Sequence, residues 1–437
     1  MAQAVAATVM TAGDGPPAAN ASRLPRTAAW LFFGIVAVNV MDRQLVAILA
    51  ESIKLDLDLT DTQVGALSGP LFAVFYAVSG LPLARLADAT DRVRVLGLTT
   101  AIAGAFAAGA ALTRGFAGLA LTRVVVAVGD AGGPPSIWSL VSSAEAPERR
   151  ARTIANIQLG APAGAVLAFV LGGLVAARFG WRSGFLLVGG LGLALGIAAL
   201  VFVSEPRRGA VSAENIAPGR LGTLLRTPGF AWGLGGVAFA GMAMFGLGMW
   251  APTVLQREFG WSVDRTGLAL GAATAVAGFA GTWGGGQLTA WRRSRGDEGA
   301  EFAVPAGAML LGIPVVGGAL VLVSAVGVLA CLASAMLFLL AWNAPSIAGF
   351  QHLAEDRARA QAAALHVFFV NLLGLGLGPL VIGALSEALT PAYGAAGLRF
   401  ALVGTTLTAL AVASGCFCVA AATMRRATHA RRSEDDA

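Results

Sequence analysis

The 437-residue chain is 57% hydrophobic and only 12% charged, with a mean hydropathy of +0.74, whereas a soluble globular protein carries about 25% charged residues. Its apolar residues gather into runs of roughly 20, the length that about 30 Å of hydrocarbon demands of a helix, so the chain reads as a polytopic membrane protein embedded in a lipid bilayer. Basic residues exceed acidic ones by six, but they are scattered through short segments and form no stripe, which argues against nucleic acid as a partner.

Residues 1–26 are rich in Ala, Pro and Gly and lack a basic segment before an apolar run, so they read as a disordered cytoplasmic tail without a cleavable signal. Apolar periodicity then predicts helices at 27–50, 62–84, 93–113, 116–142, 153–177, 183–203, 229–252, 264–290, 302–323, 325–350, 359–387 and 396–423. Twelve spans place both termini on one side. A polar segment, 204–228, separates six spans (27–203) from six (229–423), and 424–437 forms a second cytoplasmic tail. Of the 30 Lys and Arg residues, 21 fall on the side of the termini and seven on the other, with Arg43 and Arg123 inside spans. The positive-inside rule makes the terminal side cytoplasmic.

The two halves repeat in part. "ERRAR" at Glu148–Arg152 enters helix 5, and "EDRAR" at Glu355–Arg359 enters helix 11, 207 residues later. Two bundles of like topology, related by a pseudo-twofold axis along the membrane normal, are implied: an all-α fold of twelve transmembrane helices in two six-helix bundles.

A charged residue at a helix centre costs roughly 2.5–3.5 kcal/mol on an insertion scale, so intramembrane charges need a partner, water or a function. Helix 1 carries Asp42 and Arg43 within "NVMDRQ", and helix 4 carries Arg123 and Asp130. Asn39, Asp42 and Arg43 share one face by i,i+3 and i,i+4 spacing, and Arg123 and Asp130 share another by i,i+7. A polar seam between helices 1 and 4 follows. The 207-residue offset puts Met249 and Trp250 at the positions equivalent to Asp42 and Arg43, so the pair is confined to one bundle. Neighbouring charge and hydration alter a carboxylate's protonation; Asp42 is the expected proton-coupling group, with Arg43 as its competitor or anion partner and Asn39 orienting them. Beyond Asp130, "GDAGGPPSIW" predicts a break in helix 4 at Pro134 and Pro135.

At the end of helix 2, Asp88 and Arg92 suit either a conformational latch or a solvated loop. In the second half, Met242, Phe245, Met249 and Trp250 on helix 7, with Trp342 and Asn343 on helix 10, form the expected substrate-cavity face, since Met and aromatic surfaces adapt to apolar groups. Cys331, Cys416 and Cys418 lie in apolar spans without metal-ligand spacing, so neither a metal nor a cofactor is expected. No P-loop Lys motif and no nucleophile–base constellation is present in the sequence, which argues against an ATP-driven pump and an enzyme.

These features resemble the major facilitator superfamily over 27–423. Its helix 2–3 loop signature is matched at Asp88 and Arg92 and departs at Ala84, Ala89 and Asp91. More specifically, Asn39, Asp42 and Arg43 match the Asn-x-x-Asp-Arg of the Spinster-like branch, and Gly129-Asp130-Ala131 stands where Gly-Glu-Ala is usual. The resemblance implies a secondary transporter working by alternating access, proton-coupled, with Asp42, Arg43 and Asp130 as coupling and headgroup residues and Arg123 as an added cation. It also implies an amphipathic or anionic solute, such as a lysophospholipid or sphingoid-type lipid. Small aromatic or carboxylic acids or drugs are the alternative, and a non-transporting receptor or scaffold is the reading from another class. A monomer in the inner membrane of a bacterium is expected.

Overall fold

The computed structural model describes residues 24–205, 221–354 and 358–435. Most of the 1–26 tail, residues 206–220 of the linker, and Glu355–Arg357 of the second repeat motif lie outside the described residues. Within them the chain is helical throughout its spans. Helices 1 to 6 are Arg26–Leu57, Asp61–Ser68 with Pro70–Ala89, Arg92–Gly109, Phe116–Ala144, Pro147–Gln158 with Gly160–Phe179, and Trp181–Phe202. A short helix, Leu221–Arg226, precedes helices 7 to 10 at Phe230–Arg257, Val263–Ser294, Ala300–Val321, and Ala325–Leu340 with Asn343–Leu353. Helix 11 covers Arg359–Phe369, a π-helical turn Val370–Leu375 and Gly376–Tyr393, and helix 12 is Gly397–Asp435. Ten helical runs among the described residues are long and apolar enough to cross a bilayer, the last of which, Gln361–Thr428, contains both helix 11 and helix 12. Helix 8, 32 residues long, completes twelve.

Three local expectations are corrected. Helix 4 does not break at Pro134 and Pro135 but runs on to Ala144. Its glycines instead serve close packing, since a side chain on Gly129 or Gly132 would strike Thr99 and Ala103 of helix 3. Helix 2 is interrupted at Gly69, ahead of Pro70, which has no amide hydrogen to continue the ladder. Helix 12 passes the expected boundary at 423 and continues to Asp435.

Packing between helices relies on small residues, as expected where lipid tails remove the hydrophobic drive to associate. Gly160 and Gly164 of helix 5 lie against the Phe33 and Ala37 carbonyls of helix 1. Gly65 faces the Pro379 carbonyl of helix 11, and Gly267 faces Phe169, so the halves approach closely where helices 2 and 11, and 5 and 8, meet. Gly164→Val is expected to lower stability by about 1–3 kcal/mol through overpacking, read as a fall in the melting temperature of the purified protein. An unchanged value would mean that helix 5 can shift freely.

Candidate functional site

The polar seam forms across helices 1 and 4. Arg123 Nη2 donates to Asp42 Oδ1 at 3.0 Å and lies 3.0 Å from Oδ2. Both residues are buried, at 1% and 3% exposure. Arg123 also sits 5.7 Å from the ring of Phe185. Pairing removes most of the penalty of burying two charges, and breaking the pair would leave one uncompensated. Asp130 is equally buried, but its Oδ2 has no hydrogen-bond partner among the described residues. Asn39, Asp42, Thr100 and Asp130 together border a cavity of about 10 Å³, close to the space one water needs.

Arg43 is held differently. Its Nε donates to the Asn39 carbonyl at 3.3 Å, and its guanidinium lies 5.5 Å from the Phe72 ring and 6.0 Å from the Tyr76 ring. Those rings stack at 5.7 Å. Phe72 packs with Leu375 of the π-helical turn, and Tyr76 and Phe245 lie against the same cluster. The platform under Arg43 is therefore joined to the second half. Sequence reading overlooked Phe72 and Tyr76; their i,i+4 spacing on helix 2 is the signal that could have revealed them.

Between the halves lies a cavity of about 190 Å³, into which Arg43, Gln44, Ser68 and Arg123 bring polar groups and Phe72, Phe245, Met249 and Leu375 bring apolar walls. Of the expected cavity residues, Phe245 and Met249 stand here. Met242 borders a separate crevice with Val381, Leu385 and Thr405. Trp250 and Trp342 are fully buried. The former donates from Nε1 to the Pro379 carbonyl at 2.9 Å, and the latter packs 6.0 Å from the His366 ring. Asn343 begins the second segment of helix 10, where its carbonyl accepts from Ser346 Oγ. Bulk made these tryptophans core residues of the second half.

Asp88 is exposed in the last turn of helix 2. Arg92 donates to Glu205 at 2.6 Å and to Ser143 Oγ at 2.6 Å, which ties helix 3 to helix 4 and to the chain beyond helix 6. These bonds lie within the first half. In the second half, burial works against ionisation of Asp297, yet hydrogen bonds from Arg425, the Gly299 amide and Arg292 hold its carboxyl below the ordinary carboxylate range.

On the side away from the termini, a charge cluster joins the halves. Arg257, ending helix 7, reaches Glu51 Oε2 at 2.7 Å and Asp61 Oδ2 at 2.7 Å. Lys54 Nζ reaches Asp61 Oδ1 at 2.6 Å, and Ser386 Oγ donates to Asp61 Oδ2 at 2.6 Å. Gln256 Nε2 donates to the Ile48 carbonyl, and Thr62 Oγ1 to Glu387. On the terminal side the pairs Arg92–Glu205, Arg293–Glu301 and Arg425–Asp297 each stay within one half. The cluster was overlooked in the sequence because its members sit in three separate loop-proximal segments; acids on one half opposite a base on the other were its only trace.

The Major Facilitator Superfamily model matches residues 32–379. An MFS-type efflux pump of Mycolicibacterium smegmatis is 33% identical over 405 residues, 91% of this chain and 94% of that protein. The sphingosine-1-phosphate transporter SPNS2 of Danio rerio is 25% identical, over 85% of this chain and 78% of that one. A crystal structure of a bacterial homolog of the human lysosomal transporter Spinster, in an inward-facing and occupied conformation, superposes with a TM-score of 0.81 at 25% identity, covering 91% of this chain and 97% of that one.

Proposed function

The chain belongs to the Major Facilitator Superfamily, and on that premise we propose that it is a proton-coupled secondary transporter of an amphipathic organic anion, placed in the bacterial inner membrane with both termini in the cytoplasm and working as a monomer. The observation that carries this reading is the cavity between the halves, where Arg43 stands beside apolar walls, together with the buried Asp130, whose Oδ2 has no hydrogen-bond partner among the described residues. Arg123 is already compensated by Asp42, which leaves Arg43 as the cation suited to an acidic headgroup. Phe72, Phe245, Met249 and Leu375 suit the apolar part. Lysophospholipid or sphingoid-phosphate solutes fit that division.

Asp130 is the proton-exchanging group in this account, and Asp42 the fixed counterion of Arg123. The carboxylate of Asp130 interacts with Arg43, Asp42 and Arg123. An anion that engages Arg43 weakens its hold on Asp130 and favours proton uptake there. Departure of the anion reverses the bias. The cluster of Arg257, Glu51 and Asp61 acts as the outer gate, closed in this state, so the cavity serves the cytoplasmic side.

A second reading, transport of small aromatic acids or drugs, is favoured by the modest cavity of about 190 Å³ and by the likeness to an efflux pump. Uptake into liposomes of a sphingoid phosphate, a lysophospholipid and an aromatic acid separates the two. Hydrogen bonds to charged groups contribute about 1.5–3 kcal/mol, so Arg43→Gln is expected to raise the half-saturating concentration of an anionic solute by about tenfold or more. An unchanged value would remove Arg43 from recognition.

Arg257→Gln is expected to loosen the outer gate. Loss of its paired charge-assisted bonds favours opening by about tenfold to a hundredfold, measured as faster labelling, from the outer side, of a cysteine placed at Leu67. Labelling at the wild-type rate would show that close helix packing alone keeps that side shut.

A further inference from the structure

Gln44 follows Arg43 on helix 1, and both side chains line the cavity between the halves. Of the other polar side chains there, Arg123 is committed to Asp42, and Ser68 Oγ is sealed inside the protein. Arg43 uses one nitrogen, Nε, on the Asn39 carbonyl. Gln44 is half-buried, and its carboxamide makes no hydrogen bond among the described residues. Two polar groups therefore stand open to a solute: the guanidinium of Arg43 and the carboxamide of Gln44.

They differ in what they can recognise. A guanidinium has donors only, whereas a carboxamide has both donors and an acceptor. The cavity lining includes no Asp or Glu among the described residues, so Gln44 Oε1 is the side-chain acceptor available to a donor on the solute. The walls formed by Leu67, Phe72, Phe245, Met249 and Leu375 are apolar, and a solute donor that faced them would give up its bonds to water without replacement. The amide can rotate to present either its oxygen or its nitrogen, so a hydroxyl, which both donates and accepts, suits it in either orientation. The cavity of about 190 Å³ has the volume of about six waters in the liquid. An acidic group on Arg43 and a second polar group at Gln44 must then lie only a few bonds apart.

We propose that Gln44 determines specificity in the central cavity, which selects organic anions carrying a hydroxyl a few bonds from the acidic group, with the acid on Arg43 and the hydroxyl on the Gln44 carboxamide. Lysophosphatidates and aromatic hydroxy acids share this chemistry. The selection rests on the reading of the cavity as an anion site and adds to it which anions are preferred.

Isothermal titration of the purified full chain with two matched pairs provides the test: octanoyl lysophosphatidate against the analogue lacking its glycerol hydroxyl, and mandelate against phenylacetate. The expected result is a preference of about threefold to tenfold for the hydroxylated member of at least one pair, the scale of one neutral hydrogen bond. A preference in the first pair supports a lipid solute, and one in the second supports a small acid. Gln44→Leu, apolar and of similar size, is expected to abolish the preference. Gln44→Asn, which keeps a carboxamide, is expected to retain part of it, and Arg43→Gln to weaken both members of a pair alike. Equal affinity within both pairs in the wild-type chain, a comparison that needs no variant to fold, would overturn the selection while leaving the anion site in place. So would a preference that survives in Gln44→Leu. Failure of all four compounds to bind would overturn the anion site itself and the selection with it.

Discussion

Asp130→Asn is expected to abolish the response of solute transport to an imposed proton gradient while solute exchange across the membrane continues. The carboxamide has nearly the same shape, so the buried site is preserved, but it cannot take up and release a proton. Asp130 is 3% exposed, its Oδ2 is without a hydrogen-bond partner among the described residues, and it shares a small cavity with Asp42. Exchange driven by solute on both sides requires no net proton movement, whereas accumulation does. Liposomes containing the variant should thus exchange labelled solute at a rate within a few-fold of wild type and show no acceleration in a pH gradient. Persistence of the gradient effect would shift the coupling role to another group, Asp42 first.

Arg123→Met is expected to destabilise the first half by about 3–5 kcal/mol, the scale of stranding one partner of a buried ion pair. Asp42 would be left without its partner at 3% exposure. Combining Asp42→Asn with Arg123→Met removes both charges, and the pair should then recover most of the lost stability. Such recovery is a coupling of the two sites that thermal unfolding can read as a double-mutant cycle. Simple additivity of the two losses would mean that the 3.0 Å contact contributes little and that each residue is held by other neighbours.

The architecture was legible because the bilayer imposes it: runs of about 20 apolar residues have few alternatives to spanning helices, and the family match and structural neighbours agree with twelve helices in two bundles. Asp42, Arg43, Arg123 and Asp130 stood out for the same reason, as charges in an apolar context. What sequence reading overlooked depends on tertiary geometry. Helix 4 stays continuous through Pro134 and Pro135, with helix 3 packed against its glycines, an arrangement that local propensity does not encode. Trp250 and Trp342 resemble cavity aromatics by type but are fully buried, since which helix face meets the second half's core is set by rotation about the helix axis. Arg257 carries no mark in the sequence beyond its charge, yet it joins Glu51 and Asp61 from more than 190 residues away. The platform of Phe72 and Tyr76 beneath Arg43 was overlooked for a related reason, because aromatic residues in an apolar span carry no sign of the guanidinium they face.

The proposed linkage of organic-anion and proton movement through Arg43 and Asp130 is checked by recording solute uptake and internal pH together in liposomes containing the wild-type protein, with a sphingoid phosphate, a lysophospholipid and an aromatic acid offered in turn. The expected result is that at least one of these anions moves, that a pH gradient accelerates it, and that adding the anion without a gradient produces a proton flux of matching time course. Uptake that proceeds at one rate with or without the gradient, and with no accompanying change in internal pH, would contradict it.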